Sequence, residues 1–130
     1  MKPEIKEKWV KALRSGKYSQ CRHALHIQDD GFCCLGVLAD LMEPRWEVVE
    51  GSEDARCSYQ DGNKREESLL PITVCRWAGL DELDRNVKIP SRLSGPLQLG
   101  PTKAAATCLT ELNDRGATFE EIADIIEKEL

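Results

Sequence analysis

Nine consecutive residues, Arg14-Ser-Gly-Lys-Tyr-Ser-Gln-Cys-Arg22, gather three cations, a tyrosine, two hydroxyls and an amide in one short stretch. Arginine meets phosphate oxygens as a bidentate fork and lysine as a point charge, so Arg14, Lys17 and Arg22 have phosphate-binding chemistry. Tyr18 can stack on a base and Gln20 can bond to its edge. The same residues also suit a helix exit, where Arg14 and Lys17 offset the negative end of the helix dipole and Tyr18 covers the core. Trp46 and Asn113 are the outlying candidates for this surface. Trp46 borders a polar stretch, as Tyr59 does, and offers a ring. Asn113 sits beside Asp114 at another helix exit, where its amide can bond a ligand or its own backbone.

The remaining reactive residues are less well arranged. Cys21, His23 and His26 lie within six residues, with Cys33 and Cys34 nearby. The paired Cys-x2-Cys spacing of a tetrahedral zinc site is missing, and no metal is expected. Cys33 and Cys34 open a helix, which would lower a thiol pKa, but Asp29 and Asp30 at the same end oppose that, and the neighbours are apolar. Core packing is the expectation for both. The two aspartates likewise disfavour a phosphate on that helix end. His23 or His26 could serve as a general base, though spacing alone places no carboxylate or nucleophile beside them. No cofactor motif is present.

The elements that must position these groups are mostly helical. Ile5, Trp9 and Leu13 recur every fourth residue after Pro3, predicting a helix to about Ser15 with Gly16 as its stop. Residues 17–27 read as irregular to extended, with a strand at Ala24–Ile27 and a turn at Asp29-Asp30-Gly31. Phe32–Met42 is apolar nearly all round and predicts a buried central helix, in which Gly36 permits close approach of another backbone. Trp46–Glu50 alternates as a strand. Residues 51–67 are polar without periodicity, and Asp61-Gly62 marks a hairpin turn after the Cys57 region. A helix from Pro71 to Ala78 should stop at Gly79 with Leu80 closing a Schellman contact. Val87–Ile89 reads as a short strand, 90–101 as a proline-rich loop and Thr102–Asn113 as a helix. The last helix is the best specified. Thr118 and Glu121 form a capping box, and Phe119, Ile122, Ile125, Ile126 and Leu130 share one face. Leu109 onward resembles the first half of a helix-turn-helix whose groove-reading half is absent, so direct DNA binding is not expected. The expected fold is α+β: four main helices around the buried central one, with a small antiparallel sheet from Ala24–Ile27, Trp46–Glu50 and the Cys57 region, in a single domain spanning 1–130.

One hundred and thirty residues, 41% apolar and 32% charged, suit one domain with a real core. The net charge of −5 argues against nonspecific nucleic-acid binding, which draws on phosphate neutralisation. Residues 1–26 hold seven Lys or Arg against two Glu, and residues 104–130 hold seven acids against two bases. If these segments present separate faces, charge complementarity favours a homodimer; two solvated helix faces are the plainer reading. The N-terminus lacks the apolar core of a signal peptide and no apolar run spans a membrane, so free thiols in a reducing cytosol are expected.

Three stretches carry a family pattern: Trp9-Val-Lys-Ala-Leu-Arg-Ser-Gly-Lys-Tyr-Ser-Gln, Gly31-Phe-Cys-Cys-Leu-Gly-Val-Leu-Ala-Asp and Leu112-Asn-Asp-Arg-Gly-Ala-Thr-Phe-Glu-Glu-Ile-Ala. Together they resemble a family of small proteins encoded by tailed bacteriophages. The resemblance covers both ends of the chain, carries no catalytic residue, and implies action in a bacterial cytosol. Small phage proteins of this size often counter host defence, some by trapping cyclic or ADP-ribose-derived nucleotide signals. The leading expectation is therefore a non-catalytic, dimeric binding protein that sequesters a nucleotide-type signal. An inhibitor that binds a host protein through the acidic residues Glu120, Glu121, Asp124, Glu127 and Glu129 is the second reading, and a small nucleotide hydrolase is the third.

Overall fold

A computed structural model describes residues 1–90 and 100–130. The architecture is α+β, as expected. The central helix is α2 (Cys34–Met42), in which every residue from Cys34 to Ala39 is buried. α1 (Pro3–Arg14), α3 (Ile72–Ala78) and α5 (Leu109–Asp114) pack against it, and α6 (Phe119–Glu129) closes over α1 and α5. A single-turn helix, α4 (Pro101–Ala104), leads into α5.

Local signals set these boundaries. Pro3 opens α1, Ser15 caps it, and Gly16 at φ +75° turns the chain away. Ile5, Trp9, Val10 and Leu13 are buried, and the Trp9 indole donates to the Cys34 carbonyl at 2.9 Å. In α6 the capping box is complete, with Glu121 N–H donating to Thr118 and Thr118 N–H donating to the Glu121 carboxylate. Its face of Phe119, Ile122, Ile125 and Ile126 is buried, each side chain contributing on the order of 1.5–3 kcal/mol. α3 ends as predicted: Gly79 is left-handed and Leu80 N–H reaches the Cys75 carbonyl at 2.9 Å. Gly36 meets the backbone of Leu25 so closely that a Cβ would fall 1.9 Å from its carbonyl oxygen.

Several expectations are corrected. The apolar run enters its helix only at Cys34, because Phe32 belongs to β2 (Gly31–Phe32), which pairs antiparallel with β1 (His26–Ile27). The single expected sheet is two. β3 (Trp46–Val48), β4 (Cys57–Asp61) and β5 (Lys64–Glu66) form a separate antiparallel sheet in that order, joined to β1 through an isolated Ile27–Arg56 bridge. The polar stretch 51–67 thus supplies the central strand, whose Tyr59 is fully buried and donates to the Glu43 carbonyl. The expected helix Thr102–Asn113 breaks after Ala104. There Thr107 accepts from Ile89 N–H, and Leu109 N–H reaches the Val87 carbonyl, so pairing with 87–89 outweighs helix continuity. Val87–Ile89 itself forms no strand, only a bridge between Lys88 and Cys108. Most of the expected 90–101 loop lies outside the described residues. All six cysteines are free and buried, as core packing requires. Among the described residues, no helix is long and apolar enough to cross a membrane.

Candidate functional site

Along the outer face of α1 runs an open groove of about 770 Å³. Positions three and four apart on a helix share a face, and this one carries Pro3, Lys6, Glu7, Val10, Lys11 and Arg14. Lys17, just past the helix stop, and Glu127 of α6 complete the described wall with Ser15. Lys6, Lys11, Arg14 and Lys17 thus line one groove with Glu7 and Glu127, and Asp124 and Glu120 of α6 lie beside Arg14. Val10 and the alkyl stems of the lysines supply an apolar lining beneath the charges.

Two of the sequence candidates, Arg14 and Lys17, lie in this groove. Arg14 does not stand free, however. Its terminal nitrogens donate to Glu127 at 2.7 Å and Asp124 at 2.6 Å, and Glu120 lies 3.8 Å from its Nε. These hydrogen bonds raise the guanidinium pKa further above its ordinary value, so Arg14 is permanently charged. A ligand must share this cation with α6. The ion pairs also join the basic N-terminal helix to the acidic C-terminal one, so the two charge-rich segments meet within a single chain.

The other candidates are brought to different places. Tyr18 donates to Asp40 at 2.7 Å and the Trp46 indole donates to the other oxygen of the same carboxylate at 3.0 Å. Both rings pack into an aromatic cluster. Tyr18 meets Phe32 edge-on at 5.2 Å, His26 stacks on Phe32 at 3.8 Å, and Trp46 contacts His26, Phe32 and Tyr59. Burial, and then the bond to Asp40, pushes the Tyr18 phenol up to about 12. Both rings, half-buried, thus tie their segments to the end of α2 through Asp40.

Gln20 and Asn113 form a polar knot. Gln20 donates to Asn113 Oδ1 and to the Ala117 carbonyl, both at 2.8 Å. Asn113 is fully buried, donates to the Cys21 carbonyl at 2.9 Å, and accepts from Cys34 N–H at the start of α2. That bond satisfies one of the orphan donors every helix N-terminus presents. Asn113 is accordingly a buried fastening of the fold and is not among the described residues of the α1 groove. Arg22 is exposed and, with Gln20, Cys21 and Asp30, borders a second recess of about 370 Å³. The stretch 14–22 is therefore divided between two concavities and the core.

The reactive groups are equally well accounted for. Burial pushes the Cys21 thiol up to about 12 and Cys33 up to about 11, and raises Cys34 well above its ordinary value. None is a thiolate near neutral pH. His26 Nδ1 lies 2.7 Å from the Gly31 carbonyl, beneath Phe32. His23, left-handed at φ +67°, faces Asp114 at 3.5 Å on the surface. Among the described residues no group of three or more His, Cys, Asp or Glu could hold a metal. Sequence reasoning missed Lys6 and Lys11 as groove residues, although their spacing from Val10 and Arg14 was the available signal. It also missed Asp40, a lone acid near the end of an apolar helix.

No curated protein and no solved structure matches the chain. A family model does match, over residues 1–130, and on that full-length match the chain belongs to the family described as a domain of unknown function, DUF8296.

Proposed function

We propose that this chain is a non-catalytic binding protein that holds a nucleotide-type anion in the α1 groove. On the resemblance to tailed-phage proteins, its use is to sequester a host immune signal, a cyclic nucleotide or a cyclic ADP-ribose-like molecule, and so counter antiphage defence. The observation that carries this reading is the convergence of Lys6, Lys11, Arg14 and Lys17 on one groove of a chain whose net charge is −5. Its volume falls within the roughly 300–1,000 Å³ of small-molecule sites. A trap needs cations and shape, and neither nucleophile nor base.

The other two readings find less support. A hydrolase using His23 or His26 as base would need that ring beside the bound ligand, yet neither is among the described groove residues: His26 stacks on Phe32 with Nδ1 2.7 Å from the Gly31 carbonyl, and His23 faces Asp114 at 3.5 Å. An inhibitor acting through the acidic helix would need free carboxylates, yet Glu120, Asp124 and Glu127 face Arg14, and Glu121 is engaged by Thr118 and Lys103. One chain supplies the whole described groove, so the dimer is a separate proposal, tested by sedimentation equilibrium. The direct test is a thermal-shift screen with cyclic dinucleotides and cyclic ADP-ribose isomers. A ligand at a hundred times its Kd stabilises by about 2.7 kcal/mol, which for a domain of this size is on the order of 10 °C. No shift with any nucleotide would sink the proposal.

A further inference from the structure

We propose, resting on the anion-binding reading above, that the α1 groove recognises an extended row of phosphates rather than a base. Within the nucleotide-type ligands named above, this narrows the class to a short single-stranded or cyclic oligonucleotide, held by a local set of cations on a chain whose net charge is −5, and excludes a mononucleotide. Two observations carry this. The first is spacing. Lys6 and Arg14 are eight residues apart, about 12 Å along the axis at 1.5 Å per residue; Lys11 lies between them in height but about 140° round the helix from Lys6, and Lys17 lies beyond Arg14. Glu7 and Glu127 interrupt the row, so charge concentrated at one point meets a carboxylate as well as a lysine. A nucleoside triphosphate concentrates its charge at one end. An oligonucleotide distributes one charge per nucleotide, about 3.4 Å apart along a stacked strand and farther apart in an extended one, so three or four phosphates cover the row.

The second observation is the lining. No aromatic ring is among the described groove residues, and Tyr18, His26, Phe32 and Trp46 are packed on one another around Asp40. Single-strand binders that hold bases do so by stacking them on such rings. Here Val10 and lysine stems face the ligand instead, and these contact sugar and base edges without distinguishing one base from another.

The test is fluorescence anisotropy with the full chain against labelled oligoadenylate and oligouridylate of one, two and four nucleotides, from 50 to 200 mM salt. Affinity should climb with length, and the two sequences should agree within about threefold. Single-strand binding loses about 0.7 in the slope of log K against log salt per phosphate contact. Three lysines and Arg14 therefore predict a tetranucleotide slope of about −2 to −3. Lys6→Gln, Lys11→Gln and Lys17→Gln should each remove about 0.7 of that slope, while Lys64→Gln on β5 leaves it unchanged. If a mononucleotide binds as tightly as the tetranucleotide, or the bases differ more than about tenfold, the extended-phosphate inference is overturned while anion binding stands. If neither series binds, both are overturned. Circular dichroism of each variant separates lost binding from lost fold.

Discussion

Replacing Asn113 with alanine should cost the fold far more than any ligand. The carboxamide is fully buried and ties two segments to α5: Gln20-Cys21, through the Gln20 amide and the Cys21 carbonyl, and the Cys34 N–H at the head of α2. Truncation leaves the Cys21 carbonyl and the Cys34 N–H without these partners in the interior. Each buried group so orphaned costs about 1–3 kcal/mol, for a total of about 2–6 kcal/mol. Gln20 retains its bond to Ala117, so its loss is partial. Against a domain stability of about 5–15 kcal/mol the effect is large. Urea unfolding followed by circular dichroism measures it directly. With a slope of about 2 kcal/mol per molar, the midpoint should fall by about 1–3 M. Asn113→Asp keeps the acceptor for Cys34 but turns a carboxylate toward the Cys21 carbonyl and Asp114, and should be at least as unstable at pH 7. An alanine variant with an unmoved midpoint and lost nucleotide binding would refute the reasoning and make Asn113 a ligand residue.

Gly36→Ala places a Cβ 1.9 Å from the Leu25 carbonyl oxygen, so despite the better helix propensity of alanine it should destabilise by about 3 kcal/mol or fail to fold; a raised Tm would contradict this. The buried cysteines predict an alkaline limit. Because the folded pKa of Cys21 is about 12 and that of Cys33 about 11, against about 9 when unfolded, the folded state holds protons that the unfolded chain releases. Their contribution is fully present below pH 9 and is lost as pH rises from 9 towards 12, which urea midpoints at pH 8, 9 and 10 should register as a progressive fall. Thiol alkylation at pH 8 should correspondingly be slow until denaturant is added. Glu127→Gln removes a negative charge from the groove and loosens one hold on Arg14, so oligoanion affinity at low salt should rise about fivefold; unchanged or weaker binding would place the anion elsewhere.

Where the determinants are local, the chain could be read directly. Thr118 and Glu121 fix the start of α6 within one turn, Gly79 and Leu80 end α3, and Pro3 and Gly16 bracket α1. The role of Gly36 followed from its position inside a buried run. Non-local pairing was hidden. Nothing in Thr102–Asn113 announces that residues near Val87 will capture Thr107 and Leu109, and Lys64-Arg-Glu shows no alternation to mark β5. The site divides along the same line. Arg14 and Lys17 were legible as cations at a helix exit, and both face the groove. Tyr18 and Trp46 looked available because the carboxylate that claims them, Asp40, is 22 residues from one of them. Asn113 read as a turn residue, its usual setting, because its buried partners Gln20 and Cys34 lie 93 and 79 residues away.

The central claim is that the α1 groove holds a nucleotide-type anion without transforming it. The most direct measurement incubates the protein with candidate cyclic and oligomeric nucleotides, removes free ligand by size exclusion, and releases the bound fraction by heat for mass spectrometry. The wild-type chain should retain a stoichiometric ligand and return it chemically intact, while the folded Lys6→Gln, Lys11→Gln, Lys17→Gln triple variant should retain none. Retention that survives the triple substitution, or release of a cleaved product, would contradict the account.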